Sequence, residues 1–168
     1  MKFELVLGVL ALLSFLPILI GLVHSLRTIG RPGFDVCNIG GSYEGGYTRS
    51  AEAAVPTPHL LATQGTAANE ADICGVADFP IGKFADAAEI DTMVGIIPLT
   101  LGKPTEMIAS EAIAVDTEVY AAANGKVSDL PADAGDYWKV GRAINEAAAD
   151  GDELIVTPIY PVKVTVEA

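Results

Sequence analysis

Residues 118–130 read EVYAAANGKVSDL. Two short apolar runs, 118–122 and 126–130, flank the pair Asn124-Gly125. Both residues tolerate positive φ, so this pair is the strongest short hairpin signal in the chain. Working outward, the same pattern recurs. Short apolar runs at 59–64, 72–77, 81–85, 92–101 and 103–109 precede the hairpin, and runs at 137–144, 153–159 and 162–167 follow it. Turn residues separate them at close spacing, which is the pattern of an all-β domain. The predicted fold is a small β-barrel or β-sandwich of about eight to ten short strands. Pro158 and Pro161 interrupt the last pair of runs, so that region is expected at a sheet edge. Helix is scarce: 50–55 and 145–150 could each form a turn or two, too short to stand alone.

One internal echo stands out. Ile81-Gly82-Lys83 leads through Ala85-Asp86-Ala87-Ala88 to Met93-Val94-Gly95-Ile96-Ile97-Pro98. Val140-Gly141-Arg142 leads through Glu146-Ala147-Ala148-Ala149-Asp150 to Leu154-Ile155-Val156-Thr157-Pro158. Each reads as strand, acidic Ala-rich loop, strand, proline. The glycine lets the strand bend or another backbone come close. The simplest reading is two corners of one barrel solving the same problem alike.

Composition bounds the function. The 168 residues carry a net charge of −12, which repels phosphate and argues against nucleic-acid binding through a basic surface. Two cysteines and two histidines are too few for a disulfide scaffold or a structural zinc site. The charge is uneven. Residues 1–34 hold Lys2, Arg27 and Arg31 against Glu4, a net +2, whereas residues 35–168 hold seven basic and 21 acidic side chains, a net −14.

Three segments follow from this: 1–29, an apolar N-terminal helix or arm; 30–47, a Gly-rich linker or extended arm; and 48–168, the β-rich domain. From Leu5 to Val23 no side chain is charged. That length suits a membrane helix, and Pro17 inside it is tolerable with a kink. A signal peptide and a docking arm are the competing readings, Glu4 and the length of the run weakening the former. If the run spans a membrane, Arg27 and Arg31 would keep the acidic domain in the cytoplasm. The linker GRPGFDVCNIGGSYEGGY has no phosphate-loop lysine, and Glu44 stands where a nucleophile elbow needs glycine. It reads as a connector.

Catalytic chemistry has little to stand on. His59 is the β-domain's one histidine, set in an expected strand beside Leu60 and Leu61, and no partner motif accompanies it. Cys74, between Ile73 and Gly75, reads as a small buried thiol. The carboxylates spread over many loops, and Asp150-Gly151-Asp152-Glu153 lacks the full calcium-loop pattern. No cofactor, metal or catalytic residue is expected, and the chain reads as a structural or interaction module rather than an enzyme.

Certain blocks, taken in order, resemble a known family. They are Tyr43-Glu44-Gly45-Gly46 with Thr48, Ala51, Ala53 and Ala54; His59-Leu60-Leu61-Ala62-Thr63-Gln64-Gly65; and Cys74-Gly75-Val76-Ala77-Asp78-Phe79-Pro80-Ile81-Gly82. Val119-Tyr120-Ala121-Ala122-Ala123-Asn124-Gly125-Lys126-Val127 and Tyr137-Trp138-Lys139-Val140-Gly141-Arg142-Ala143 follow, then Ala147-Ala148-Ala149-Asp150-Gly151-Asp152. Their order and spacing, over roughly residues 42–166, are similar to the small capsid decoration, or head cement, proteins of tailed bacteriophages. The resemblance implies a non-enzymatic virion protein on the capsid exterior. Its partner would be the major capsid protein, and it would be a homo-oligomer, most often a trimer. Residues 1–34 match nothing expected of that family. Interface candidates are Tyr43, Glu44, Tyr47 and Arg49 at the start of the domain, and Asp86, Glu89, Asp150 and Asp152 in the tip loops. The rival expectation is a membrane-anchored β-barrel accessory domain of a cellular protein, touching the membrane through Leu5 to Val23.

Overall fold

The computed structural model describes residues 46–99 and 103–167. Ten strands follow one another: β1 (Tyr47–Ala51), β2 (Leu61–Gln64), β3 (Glu70–Ile73), β4 (Gly82–Phe84), β5 (Met93–Ile97), β6 (Thr105–Ile108), β7 (Glu118–Ala121), β8 (Val127–Ser128), β9 (Gly135–Ala143) and β10 (Glu153–Val166). Among the described residues there is no α-helix. The all-β expectation therefore holds. The apolar run from Leu5 to Val23 lies outside the described residues, and within them no helix is long and apolar enough to cross a membrane.

Strands β1 to β5 close into a barrel in the order β1-β3-β2-β4-β5. Closure comes from β1, which pairs parallel with β3 and antiparallel with β5. Strands β6 to β10 form a second sheet in the order β6-β10-β9-β7-β8. Its two end strands meet through a parallel bridge, Ala109 to Val127.

The second sheet repeats the first, register for register. Ala62 faces Gly82 in the first, and Val119 faces Gly141 in the second. Phe84–Ile96 corresponds to Ala143–Val156, and Tyr47–Ile96 to Thr105–Val156. Gln64–Ala71 corresponds to Ala121–Val127, and the closing pair Ala51–Ala71 to the bridge Ala109–Val127. Loops match too. Val55 bridges Ala88 as Ile113 bridges Ala147. Left-handed residues recur at equivalent turns: His59 (φ 70°) with Asp116 (φ 65°), and Asp91 (φ 61°) with Gly151 (φ 90°). The two similar stretches of sequence are thus not two corners of one barrel. They are the same corner in each of two five-stranded units.

The glycines of that echo are required by packing. A Cβ on Gly82 would lie 2.6 Å from the Ile97 carbonyl oxygen, and one on Gly141 2.4 Å from Val156 Cγ1. The Asn124-Gly125 hairpin forms as expected. A 3-10 turn, Ala123–Gly125, joins β7 to β8 with φ 59° at Asn124 and 71° at Gly125. Gly125 also donates its N–H to the Cys74 carbonyl at 2.8 Å, tying the turn to the first unit.

Four boundaries differ from expectation. His59 is not in a strand but in a left-handed turn before β2, where its N–H bonds the Phe84 carbonyl. Segments 50–55 and 145–150 form no helix, because the donors of Ala51, Val55 and Ala147 go to β-partners Thr92, Ala88 and Ile113. Tyr47, assigned to the linker, opens β1. The last two expected runs are one strand, β10, irregular between Pro158 and Val162. Its first residues pair with β6, which stops at Val156, and the β9 ladder begins at that same residue. Beyond that point β10 has no second strand partner among the described residues, and both prolines sit there.

Each unit has an aliphatic core. The first centres on Phe84, Ile96, Val94, Val55 and Leu60, and Ile108 joins it. The second centres on Met107, Leu154, Val156, Val140 and Ile113, and Leu61 and Cys74 of the first unit are packed into it. Fully burying one such side chain contributes about 1.5–3 kcal/mol. The shared residues couple the two cores.

Candidate functional site

The interface candidates do not form one constellation. Tyr43 and Glu44 lie outside the described residues. Tyr47 and Arg49 do come together on β1, the guanidinium 5.3 Å from the Tyr47 ring centre. Arg49 is occupied internally. It donates to the carbonyls of Ala68 and Glu70, each at 3.0 Å, and to Gln64 Oε1, and so clasps the β2–β3 turn.

The acidic candidates fall in the two equivalent tip loops. Asp86 and Glu89 are exposed in the β4–β5 loop. Asp150 and Asp152 sit in the β9–β10 loop. Asp152 Oδ2 accepts from the N–H groups of Ala148 and Ala149, both at 2.9 Å, so it holds its own turn. In the first unit Thr92 occupies the equivalent place, and its hydroxyl donates to the Glu89 carbonyl at 2.7 Å. Asp150 pairs with Lys126 at 2.6 Å. Of the four, Asp86 and Glu89 are the carboxylates least engaged by the fold.

Two clusters are not evident from the sequence. The first joins the units. Lys83, in β4, is only 3% exposed. Its Nζ donates to the Glu106 carbonyl at 2.9 Å and lies 3.0 Å from His59 Nδ1. His59 Nε2 is 3.3 Å from Glu106 Oε2. Charged lysine, neutral imidazole and carboxylate thus form one donor chain across the boundary. Burial pushes the Lys83 pKa down to about 8, against the pull of Glu106 and Glu153. Burial, then the Lys83 charge, lowers the His59 pKa. Desolvation penalises the charged forms and so moves both groups toward neutrality, without discharging Lys83 at neutral pH. The signal in sequence is Lys83 inside an otherwise apolar strand.

The second cluster is aromatic. Phe79 meets Trp138 edge-on with ring centres 5.0 Å apart, and Tyr160 lies 5.9 Å from Phe79. Trp138 Nε1 donates to the Ala77 carbonyl at 3.1 Å. Such pairs contribute about 0.5–1.5 kcal/mol beyond area burial. Tyr160 remains 64% exposed, so the cluster also presents a ring to solvent. Beside it Asp136 accepts from Lys163 and from Thr165, each at 2.7 Å, and these bonds hold its carboxyl below the usual range.

Neither cluster resembles a hydrolytic centre. Cys74 Sγ faces the carbonyls of Gly75 and Asp78, and burial pushes its pKa up to about 12. It is held as a thiol. No group of three metal-ligating side chains occurs among the described residues. An open depression of about 330 Å³ is lined by Pro104, Thr105, Glu106 and Ile155, with Glu106 its one ionisable side chain among the described residues.

The fold defines the class of protein: a small all-β domain of two repeated five-stranded units. No protein-family model and no curated protein matches the sequence. Among solved structures, the chain is similar to the head fiber gp8.5 N base of bacteriophage phi29, with a TM-score of 0.53. Sequence identity is 18%, and the match covers 73% of this chain and 98% of that one. The likeness is one of fold.

Proposed function

We propose that this chain is a virion structural protein of a tailed phage, seated on the outside of the head and stabilising the major capsid shell without catalysis. The observation that carries the reading is the shared fold. Nearly the whole of a phage head-fiber base, 98% of it, matches 73% of this chain in fold. The ordered sequence blocks point the same way, through an independent route. So does the chemistry, since the polar and aromatic groups of the two clusters are engaged with one another and brace the domain.

The partner in this reading is the major capsid protein, and the chain acts as a homo-oligomer, a trimer by preference. Each copy contributes modest contacts, which symmetry repeats. Effective concentration then converts weak contacts into durable attachment. The acidic surface keeps the domain off DNA. A second reading, a membrane-anchored accessory domain, is favoured by the uncharged run from Leu5 to Val23.

Mass spectrometry of purified particles and of host membranes separates the two. Near-stoichiometric recovery with the shell protein supports the virion reading, and recovery from membranes alone overturns it. Heating shells with and without the chain then tests the stabilising role. Bound chain with an unchanged rupture temperature would refute that role.

A further inference from the structure

Strands β9 and β10 depart from the repeat. Their counterparts β4 and β5 are three and five residues long, whereas β9 has nine and β10 fourteen. The excess forms a two-stranded ribbon, from Val162 opposite Lys139 to Val166 opposite Gly135. β7 pairs with β9 only from Lys139 to Arg142, and β6 leaves β10 at Val156. Residues 162–166 of β10 therefore have no second strand partner among the described residues. Two strands alone are marginal in water, and an open edge is a template for another strand. Pro158 and Pro161 block pairing on the earlier part of this edge, but no proline follows them.

The side chains of the edge say what fits it. Residues 162–167 read VKVTVE, with Lys163 and Glu167 four positions apart on one face and valines on the other. A partner strand satisfies both charges only if it carries the opposite order at the same spacing. The edge itself, reversed, is such a partner. Laid antiparallel on a copy with Thr165 at the twofold axis, Lys163 stands opposite the partner's Glu167, and Glu167 opposite the partner's Lys163. Val164 then meets the partner's Val166, and the reverse, on the other face. Neighbouring registers are worse. Centring on Lys163 sets two lysines face to face, and centring on Val164 pairs Lys163 with threonine and makes no ion pair. The ribbon's own charges balance, Lys139 and Lys163 against Asp136 and Glu167. Asp136 is already held by Lys163 and Thr165, each at 2.7 Å. Across the axis the two Asp136 residues would stand three strand spacings apart, about 14 Å, beyond the screening length of about 8 Å at physiological salt.

We propose that the β10 edge at 162–167 pairs antiparallel with the same edge of a second copy, joining two ribbons into one four-stranded sheet across a twofold axis. Main-chain hydrogen bonds supply affinity, and the two Lys163–Glu167 pairs fix the register. Four strands replace two marginal ribbons, and both β10 edges are covered at once. The contact is isologous, so it builds even-numbered assemblies and would join a trimer to a second trimer. It rests on the edge alone and not on the virion reading above.

Sedimentation velocity of the full chain over a dilution series, with hydrogen exchange at both ends of the series, tests this. The twofold contact should dissociate on dilution, and amides within 162–166 should exchange at least about tenfold more slowly in the associated form. Lys163→Glu sets carboxylates opposite each other at both pairs, and Glu167→Lys sets ammonium groups opposite each other. Each variant alone should weaken association about tenfold. Mixing the two variants restores opposite charges at both pairs, so a mixed dimer of wild-type affinity should form, a rescue that a merely misfolded variant would not give. A chain that is monomeric at every concentration overturns the proposal, and so does an oligomer that neither variant weakens. Slow exchange at 162–166 in the monomer would make another part of the same chain the occupant and overturn it. Protection there only on adding shells would make the shell protein the occupant, overturning the proposal while leaving the virion reading intact.

Discussion

The two five-stranded units agree in pairing register and in the placing of their left-handed turns, yet they differ at the centre of the equivalent strands. Lys83 and Phe84 of β4 stand where β9 has Arg142 and Ala143. Lys83 and Phe84 are buried, Arg142 is exposed. Backbone demands explain the agreement. A glycine at 82 and 141, an antiparallel corner and a left-handed residue before the second strand are fixed by geometry whatever the side chains do. Packing explains the difference. The first unit fills a closed barrel mostly from its own residues, with Ile108 joining from the second, and the fully buried Phe84 is a large part of that filling. The second receives Leu61 and Cys74 from the first and needs only alanine. What the pair teaches is that the domain is not two independent barrels but one barrel lent partly to a copy of itself.

The sharpest way to break this comparison is Phe84→Ala, which copies the second unit's residue into the first. A fully buried phenylalanine is replaced with no neighbour to fill the space. The expected loss is about 3–5 kcal/mol. Because Leu61 belongs to both structures, thermal unfolding of the variant should remain a single transition at lower temperature. Two separated transitions would show that the cores are independent.

Lys83 offers a test that depends on pH. Its pKa is about 8 in the folded chain, against 10.5 for an unburied lysine such as the unfolded chain presents. Between those values the unfolded chain binds more protons, so stability rises with pH across that window and is lower below it. The rise is on the order of 3 kcal/mol. His59 acts with the same sign in acid, since its folded pKa lies below 6.5 and stability falls as pH drops through that region. Lys83→Met should abolish the alkaline rise in denaturant midpoints and leave the neutral stability equal or higher, because a buried charge is removed. An alkaline rise that persists in the methionine variant would assign it elsewhere.

Gly82→Ala and Gly141→Ala sharpen the comparison. Each forces a methyl into overlap with a neighbouring carbonyl and a branched side chain, at 2.6 and 2.7 Å for Gly82 and 2.5 and 2.4 Å for Gly141. Both should cost about 1–3 kcal/mol, and by similar amounts, if the corners are equivalent. Urea titration of the pair checks this. A loss at one position with none at the other would mean the shared register hides different packing.

Much of this is legible in the sequence, and the misses share a cause. Asn124-Gly125 and the two strand glycines announce themselves because few residues satisfy positive φ or a missing Cβ. The doubling is visible only as one corner. Most matched positions carry different side chains, as Tyr47 and Thr105 or Gln64 and Ala121 do, so register lives in backbone hydrogen bonds that any residue can make. His59 reads as strand because Leu60 and Leu61 imitate one, while the left-handed turn that holds it has no glycine to reveal it. Pro158 and Pro161 read as a break, but the backbone irregularity between them lets a single strand continue. Of the interface candidates, Arg49 is engaged by the β2–β3 turn and Asp152 by its own loop, which charge alone does not show.

The smallest expected effect lies in the tip loops, and it separates structure from contact. Asp152→Ala removes a carboxylate that accepts two backbone N–H bonds, for a loss of about 1 kcal/mol, as for a lost cap. Asp150→Asn breaks only an exposed pair with Lys126, for a loss of about 0.2–1 kcal/mol. Asp86→Asn in the equivalent loop of the first unit changes an exposed carboxylate, for a shift within about 0.5 kcal/mol. On stability alone the order should be Asp152, Asp150, Asp86. Shell binding should invert that order if the tips touch the capsid, because the carboxylate least engaged by the fold is the one left for a partner. Calorimetry and shell co-sedimentation on the same three variants read the two orders together. Identical orders would make both loops purely structural and shift the capsid contact to the rest of the surface.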